Sequence, residues 1–240
     1  MGGNLESAKI EEARIHAAYA KRHGDTRYSW FSPGHLFMIQ ARERVFLDLL
    51  RTKGITSLED KKILDVGCGT GYWLRQLINW GAQPQNIIGV DLLVDRVAQA
   101  KHLVPESVTI QCGSAARLGF DDGAFDMVLQ SMVFSSVLDL SMKQQIAEEM
   151  LRVVKGHGWI LWYDFHFNNP NNPDVRGVKK QKIFQLFPDC HIEIRRITLA
   201  PPLVRFVARH SWLACYLLEG LQIFNTHYLC IIQKSKAQVR

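Results

Sequence analysis

Between positions 61 and 72 the chain reads Lys-Lys-Ile-Leu-Asp-Val-Gly-Cys-Gly-Thr-Gly-Tyr. The apolar residues Ile63, Leu64 and Val66 predict a short buried strand. Gly67, Gly69 and Gly71 predict a turn whose backbone can approach a ligand without Cβ clashes. A helix from Tyr72 to Trp80 should follow, and its first N–H groups would be unpaired at the positive end of the dipole. A strand, a glycine turn and a helix in this order make a place where a nucleotide-like ligand can lie against bare main chain.

The spacing narrows the choice of ligand. In the dinucleotide fingerprint G-x-G-x-x-G the third glycine would fall where Tyr72 stands. Asp65 sits two residues before Gly67, where a carboxylate suits an ammonium-bearing ligand and would repel a pyrophosphate. The segment Leu64-Asp65-Val66-Gly67-Cys68-Gly69-Thr70-Gly71 resembles motif I of the class I S-adenosylmethionine-dependent methyltransferases. It is most similar to the small-molecule branch around the ubiquinone/menaquinone methyltransferases. The resemblance runs through motifs between about residues 60 and 165, and it implies S-adenosyl-L-methionine as cofactor.

Strand and helix signals alternate after the turn, which predicts an α/β fold with a mostly parallel sheet and helices on both faces. Strand two, Asn86 to Leu92, ends at Asp91, about 20 residues beyond the glycine turn and placed to accept both hydroxyls of a ribose, with Leu92 beside it. That geometry serves NAD and S-adenosylmethionine equally, so an NAD(P)-dependent oxidoreductase is the alternative; the glycine spacing and Asp65 count against it. Strand three, Ser107 to Gln111, leads to Gly113, Ser114 and Ala115. The resemblance implies an adenine contact there, with Ser114 where relatives often carry Asp. Strand four, Phe125 to Gln130, should bring Gln130 and Ser131 to the methionine part of the cofactor and Phe134 to the adenine or substrate. Ser141 to Gln144 fits a capping box opening a helix to Val153, and Lys155 to Gly158 fits a turn into strand five, Trp159 to Asp164. Strands at 190–199 and 227–234 complete a Rossmann-like sheet of seven. The resemblance implies that the last runs antiparallel beside strand five.

Helices over residues 5–23 and 36–51 precede the first strand, so residues 1–55 are expected to form a helical cap and residues 56–240 the core. The resemblance implies a lid over the substrate, to which Tyr19, Tyr28 and Trp30, and the polar residues Arg42, Glu43 and Arg44, could contribute, with two helices packed on the sheet edge as the alternative; Phe134 and Arg176 are further substrate-binding candidates. Residues 201–224 form an apolar insertion marked by Arg205, Arg209 and His210. It is expected to pack as a helix on the sheet or in a homodimer seam, with a membrane surface or lipid-like substrate as the alternative.

Methyl transfer from a sulfonium is an in-line displacement by an activated donor, so the protein mainly holds the acceptor atom in line in a dry site. A base is required only for a protonated acceptor. His166 and Asp164 are the first candidates for base or positioner, because residues two apart on an extended strand point to one face. His16, His35, Tyr19 and Arg176 are further candidates. The absence of an evident base also leaves a non-catalytic cofactor-binding scaffold as a rival. The expected acceptor is small, and hydrophobic or linked to a glycan or lipid.

The net charge of +6 comes without a dense Lys/Arg block, which argues against nucleic acid as partner. Five cysteines without metal-ligand spacing, and no secretory signal, read as free thiols in the cytoplasm, with no metal.

Overall fold

Seven strands occupy Ile63–Val66 (β1), Ile87–Asp91 (β2), Thr109–Cys112 (β3), Phe125–Ser131 (β4), Val154–Phe165 (β5), Cys190–Leu199 (β6) and Asn225–Lys234 (β7). They form one sheet in the order β3-β2-β1-β4-β5-β7-β6 in a computed structural model that describes residues 2–21, 29–169 and 172–235. The strands from β3 across to β5 pair in parallel, and β7 runs antiparallel to both β5 and β6. β1 is central and buried along its whole length, as its near-continuous apolar sequence requires.

Two apolar layers hold the sheet. On one face Leu64 and Val66 meet Ile146, Met150 and Val153 of α6 (Leu140–Val153) and Trp162 of β5. On the other face, Ile63 and Ile87 meet Phe46, Leu49 and Leu50 of α2 (Pro33–Thr52) and Trp73, Leu74 and Leu77 of α3 (Tyr72–Asn79). Each fully buried side chain of this size contributes about 1.5–3 kcal/mol of transfer free energy. The remaining helices are α1 (Gly2–Ala20), α4 (Val94–Leu103), the single turn α5 (Val133–Ser136), α7 (Lys180–Leu186), α8 (Pro201–Val207) and α9 (Trp212–Gly220).

Several local expectations are corrected. The cap of α6 is Asp139, whose carboxylate accepts from Met142 N–H at 2.6 Å, and not Ser141. An ionised acceptor at the positive helix end is the stronger cap. Residues 155–158 belong to β5 and are no turn, and the β4–β5 register shifts between Phe125 and Met127. A Cβ on Gly158 would lie 2.7 Å from the Asp126 carbonyl, so this glycine permits a close strand approach. The apolar 201–224 stretch folds as two short helices, α8 and α9. They pack on α2, where Phe37 meets Trp212 and Tyr216 at ring distances of 5.7 and 4.9 Å. Among the described residues, no helix is long and apolar enough to cross a membrane.

Candidate active site

A cavity of about 540 Å³ opens at the carboxyl ends of the central strands, where ligands bind in open α/β sheets. Its floor is the glycine turn. Gly67, Gly69 and Gly71 take φ values of 72°, 55° and 78°, which L side chains rarely tolerate. A Cβ on Gly67 would lie 2.3 Å from Val133 Cγ2. The N–H groups of Gly67 and Cys68 donate to the Val90 carbonyl at 2.7 and 3.0 Å, tying the turn to β2.

Two acids stand behind this floor. Asp91 accepts from the N–H of Gly69 at 2.8 Å and of Leu93 at 2.9 Å, so the turn and the start of α4 share one carboxylate. Each of its oxygens retains a lone pair, and the residue lines the cavity. Asp65 is fully buried, and neither of its oxygens has a hydrogen-bond partner. Burial, and secondarily the Asp91 charge, push its pKa up to about 8. A buried carboxyl without a donor is costly. The Ser114 hydroxyl, on the cavity wall, is likewise buried without a partner. Such atoms mark positions where a ligand can supply the missing groups.

The opposite wall is aromatic and cationic. Ile15 and Tyr19 come from α1, Trp30 from the segment before α2, and His35, Ile39 and Arg42 from α2. The Arg42 guanidinium lies 4.9, 4.7 and 5.2 Å from the ring centres of Tyr72, Trp73 and Tyr163, favourable cation–π geometry. Tyr72 donates to Glu43 and stacks under Trp30. Burial first, then the Arg42 and Arg205 charges, hold the His35 pKa below 6.5, so its imidazole is neutral at pH 7.

The expected cofactor residues gather here. Gly67, Cys68, Gly69, Thr70, Asp91, Leu92, Gly113, Ser114, Ala115 and Ser131 line the cavity, and Gly71 opens α3. Asp65, fully buried behind the turn, and Gln130 do not; the buried Gln130 amide braces the end of β4, donating to Tyr163 O and accepting from Val133 N–H. Of the substrate residues, Tyr19 and Trp30 line the cavity, while Tyr28 lies outside the described residues. Phe134 packs in the core against Trp162 and Phe187, because the α5 turn rotates it beneath the sheet. Arg176 is absent from the wall, and its main-chain N–H bonds Ser135 O.

The structure places Asp164 and His166 outside the cavity. The turn of α5 sets Ser135 against Asp164, whose carboxylate accepts from Ser135 N–H at 3.0 Å, and presents Ser136 to the cavity instead. Burial raises the Asp164 pKa to about 7 despite those bonds. His166 stacks on Tyr228 at 4.5 Å, with Nε2 3.0 Å from the Asn225 carbonyl. His16 is exposed on α1, also away from the cavity. Sequence reasoning passed over Tyr72, Arg75 and Arg96. All three stand in the first turns of α3 and α4, and that position, directly after the ligand-facing strand ends, was the available signal.

Residues 64–162 match the family model described as a methyltransferase domain. That segment is similar to the class I S-adenosylmethionine-dependent methyltransferases. The chain is 31% identical over 102 residues to the demethylmenaquinone methyltransferase of Shouchella clausii, covering 41% of this chain and 42% of that protein. It is 28% identical over 132 residues to the ubiquinone/menaquinone biosynthesis C-methyltransferase of a Geobacter species, covering 53% and 54%. The matched segment thus spans about half the length of these curated relatives or less. The fold is similar to that of an S-adenosylmethionine-dependent methyltransferase from Mesorhizobium loti, with TM-score 0.59 and 16% identity over 78% of this chain and 96% of that one. The orphaned Asp65 carboxyl behind the bare turn, the Asp91 carboxylate and the orphaned Ser114 hydroxyl are groups that fit the ammonium, sugar and base of S-adenosylmethionine.

Proposed function

We propose that this chain is a methyltransferase that carries a methyl group from S-adenosylmethionine to a small acceptor, hydrophobic or borne on a glycan or lipid, held under a cap formed by α1 and α2. The observation that carries the proposal is Asp65: a fully buried carboxyl with no donor of its own, directly behind a glycine turn. When bound, the cofactor supplies an electrophilic methyl on a sulfonium. Asp65 would release its proton and face the ammonium of the amino-acid part, Asp91 would accept hydrogen bonds from the ribose hydroxyls, and the Ser114 hydroxyl would meet the adenine edge.

Tyr19, Trp30 and Ile39 form an apolar wall that excludes water from the acceptor. His35 takes the acceptor proton where the acceptor starts as a hydroxyl, amine or acidic carbon, because its neutral imidazole lines the cavity. His166 and Asp164 act as supports at the end of β5, Asp164 by accepting from Ser135 N–H and His166 by its contact with the Asn225 carbonyl.

Calorimetric titration with S-adenosylhomocysteine, with NADH as the competitor, tests the cofactor. The expected result is saturable binding of the first alone, lost in folded Asp65→Ala and Asp91→Ala variants. Unchanged affinity in both variants would overturn the assignment. Labelled S-adenosylmethionine incubated with cell extract then reports the acceptor; a bound cofactor with no methylated product would favour a binding scaffold.

A further inference from the structure

Beyond the cavity, the α8–α9 segment leaves a broad apolar surface open. Phe206 is 64% exposed, Leu213 69%, Leu217 66% and Ile223 65%. On α9 the inward residue is Cys215, with Leu213 and Leu217 one helical turn apart on the outward face. On α8 and the turn that follows it, Val204 and Ala208 are buried, while Phe206, Arg209 and His210 are exposed. Burying such groups on one side and exposing large hydrophobes on the other is unusual for a surface that meets only water.

Charge and position say what covers this face. Residues 201–224 contain Arg205, Arg209 and His210 and a single acid, Glu219. That acid is only 11% exposed and lies 3.7 Å from Arg44. The apolar face therefore has a cationic border, the composition of a helix lying in the headgroup region of an anionic bilayer. It also adjoins the cavity mouth: α8 packs so tightly on α2 that a Cβ on Gly34 would sit 2.8 Å from Arg205 Cα. The neighbouring Trp30 and His35 line the cavity, and Phe31 beside them is 97% exposed.

We infer that α8, α9 and the Trp30–Phe31 corner form a docking surface for an anionic lipid bilayer, which sets the cavity mouth against the membrane. Docking is peripheral, through the side chains of two short helices. It depends on no step of methyl transfer, so its failure would leave the reaction reading untouched.

The test is co-sedimentation of the full chain with vesicles of phosphatidylglycerol and phosphatidylcholine, beside vesicles of phosphatidylcholine alone. Binding is expected to the anionic vesicles, at least tenfold weaker to the neutral ones. Leu213→Asp with Leu217→Asp should reduce it at least tenfold, and Arg209→Glu several-fold at low salt. S-adenosylhomocysteine affinity and melting temperature should match the parent in each variant. Should the double variant misfold, Phe206→Ser and Leu217→Ser alone provide the same reading, each with a several-fold loss. Absence of sedimentation with either vesicle, equal binding to both, or binding indifferent to these substitutions would overturn the proposal. So would a stable dimer in solution that Leu217→Ser disperses, since a second copy would then be the occupant.

Discussion

The Glu11 carboxylate on α1 accepts hydrogen bonds from the main-chain N–H groups of Leu138 and, at 3.3 Å, Asp139, across 127 positions of sequence. Arg14 completes the joint by bonding Glu11 on one side and the Ser136 carbonyl on the other. Tyr19, two turns further along α1, then reaches Ser136 Oγ at 3.0 Å. One buried acid thus pins the first helix to the loop that follows β4, and so positions one wall of the cavity.

Removing that pin should loosen the wall. Glu11→Ala is expected to cost about 1–3 kcal/mol of stability, the range for leaving buried partners unsatisfied. It should also weaken S-adenosylhomocysteine binding several-fold. Burial opposes the Glu11 charge, but the Arg14 and main-chain hydrogen bonds prevail and hold its pKa below 4.5. Its stabilisation is therefore complete above pH 4.5 and is lost as pH falls through the lowered folded value. Thermal unfolding between pH 3 and pH 7 checks both points; a variant as stable as the parent at pH 7 would refute them.

Asp65 should behave in the opposite sense. Its folded pKa of about 8 lies above the ordinary 3.8, so the ligand-free fold retains a proton that the unfolded chain releases. Stability should fall as pH rises from about 4 to 8. Asp164, raised to about 7, adds to the same slope. Asp65→Asn should flatten part of it and stabilise the free protein by about 1–3 kcal/mol at pH 8, while abolishing cofactor-product binding. The difference between variant and parent in unfolding free energy against pH isolates this residue.

Gly67→Ala should fail for two steric reasons. The φ of 72° costs an L-residue roughly 1–2 kcal/mol, and the new methyl would lie 2.3 Å from Val133 Cγ2. Chemical denaturation should show a loss above the backbone figure alone, with no product binding. Val133→Ala in the same chain should return part of the stability.

The two histidines separate by kinetics. With a protonated acceptor, His35→Asn should lower kcat by about 10²–10⁴ and leave S-adenosylhomocysteine affinity within twofold. The parent rate should rise with pH through a value below 6.5, since burial and the Arg42 and Arg205 charges depress the His35 pKa. His166→Asn should alter melting temperature more than kcat. The reverse pattern would restore His166 as the base.

The glycine floor of the cavity was legible because its constraints are local. Three glycines in left-handed backbone, an acid two residues earlier and an acid at the next strand tip need only the strand–turn–helix order to become a site. The sheet followed from alternating apolar strands and helical faces, and the antiparallel β7 from the family resemblance. What the sequence could not determine was where a side chain points once a strand ends. Phe134 and Asp164 lie in the right segments, but the single turn of α5 buries the first and screens the second, and that turn is held by contacts with β5. Likewise α1 and α2 reach the cavity only through long-range contacts, Glu11 to Leu138 and Arg42 to Tyr163. Backbone conformation and helical period are set by near neighbours along the chain. The facing wall of a cavity depends on which distant surfaces pack together, so only the tertiary structure decided it.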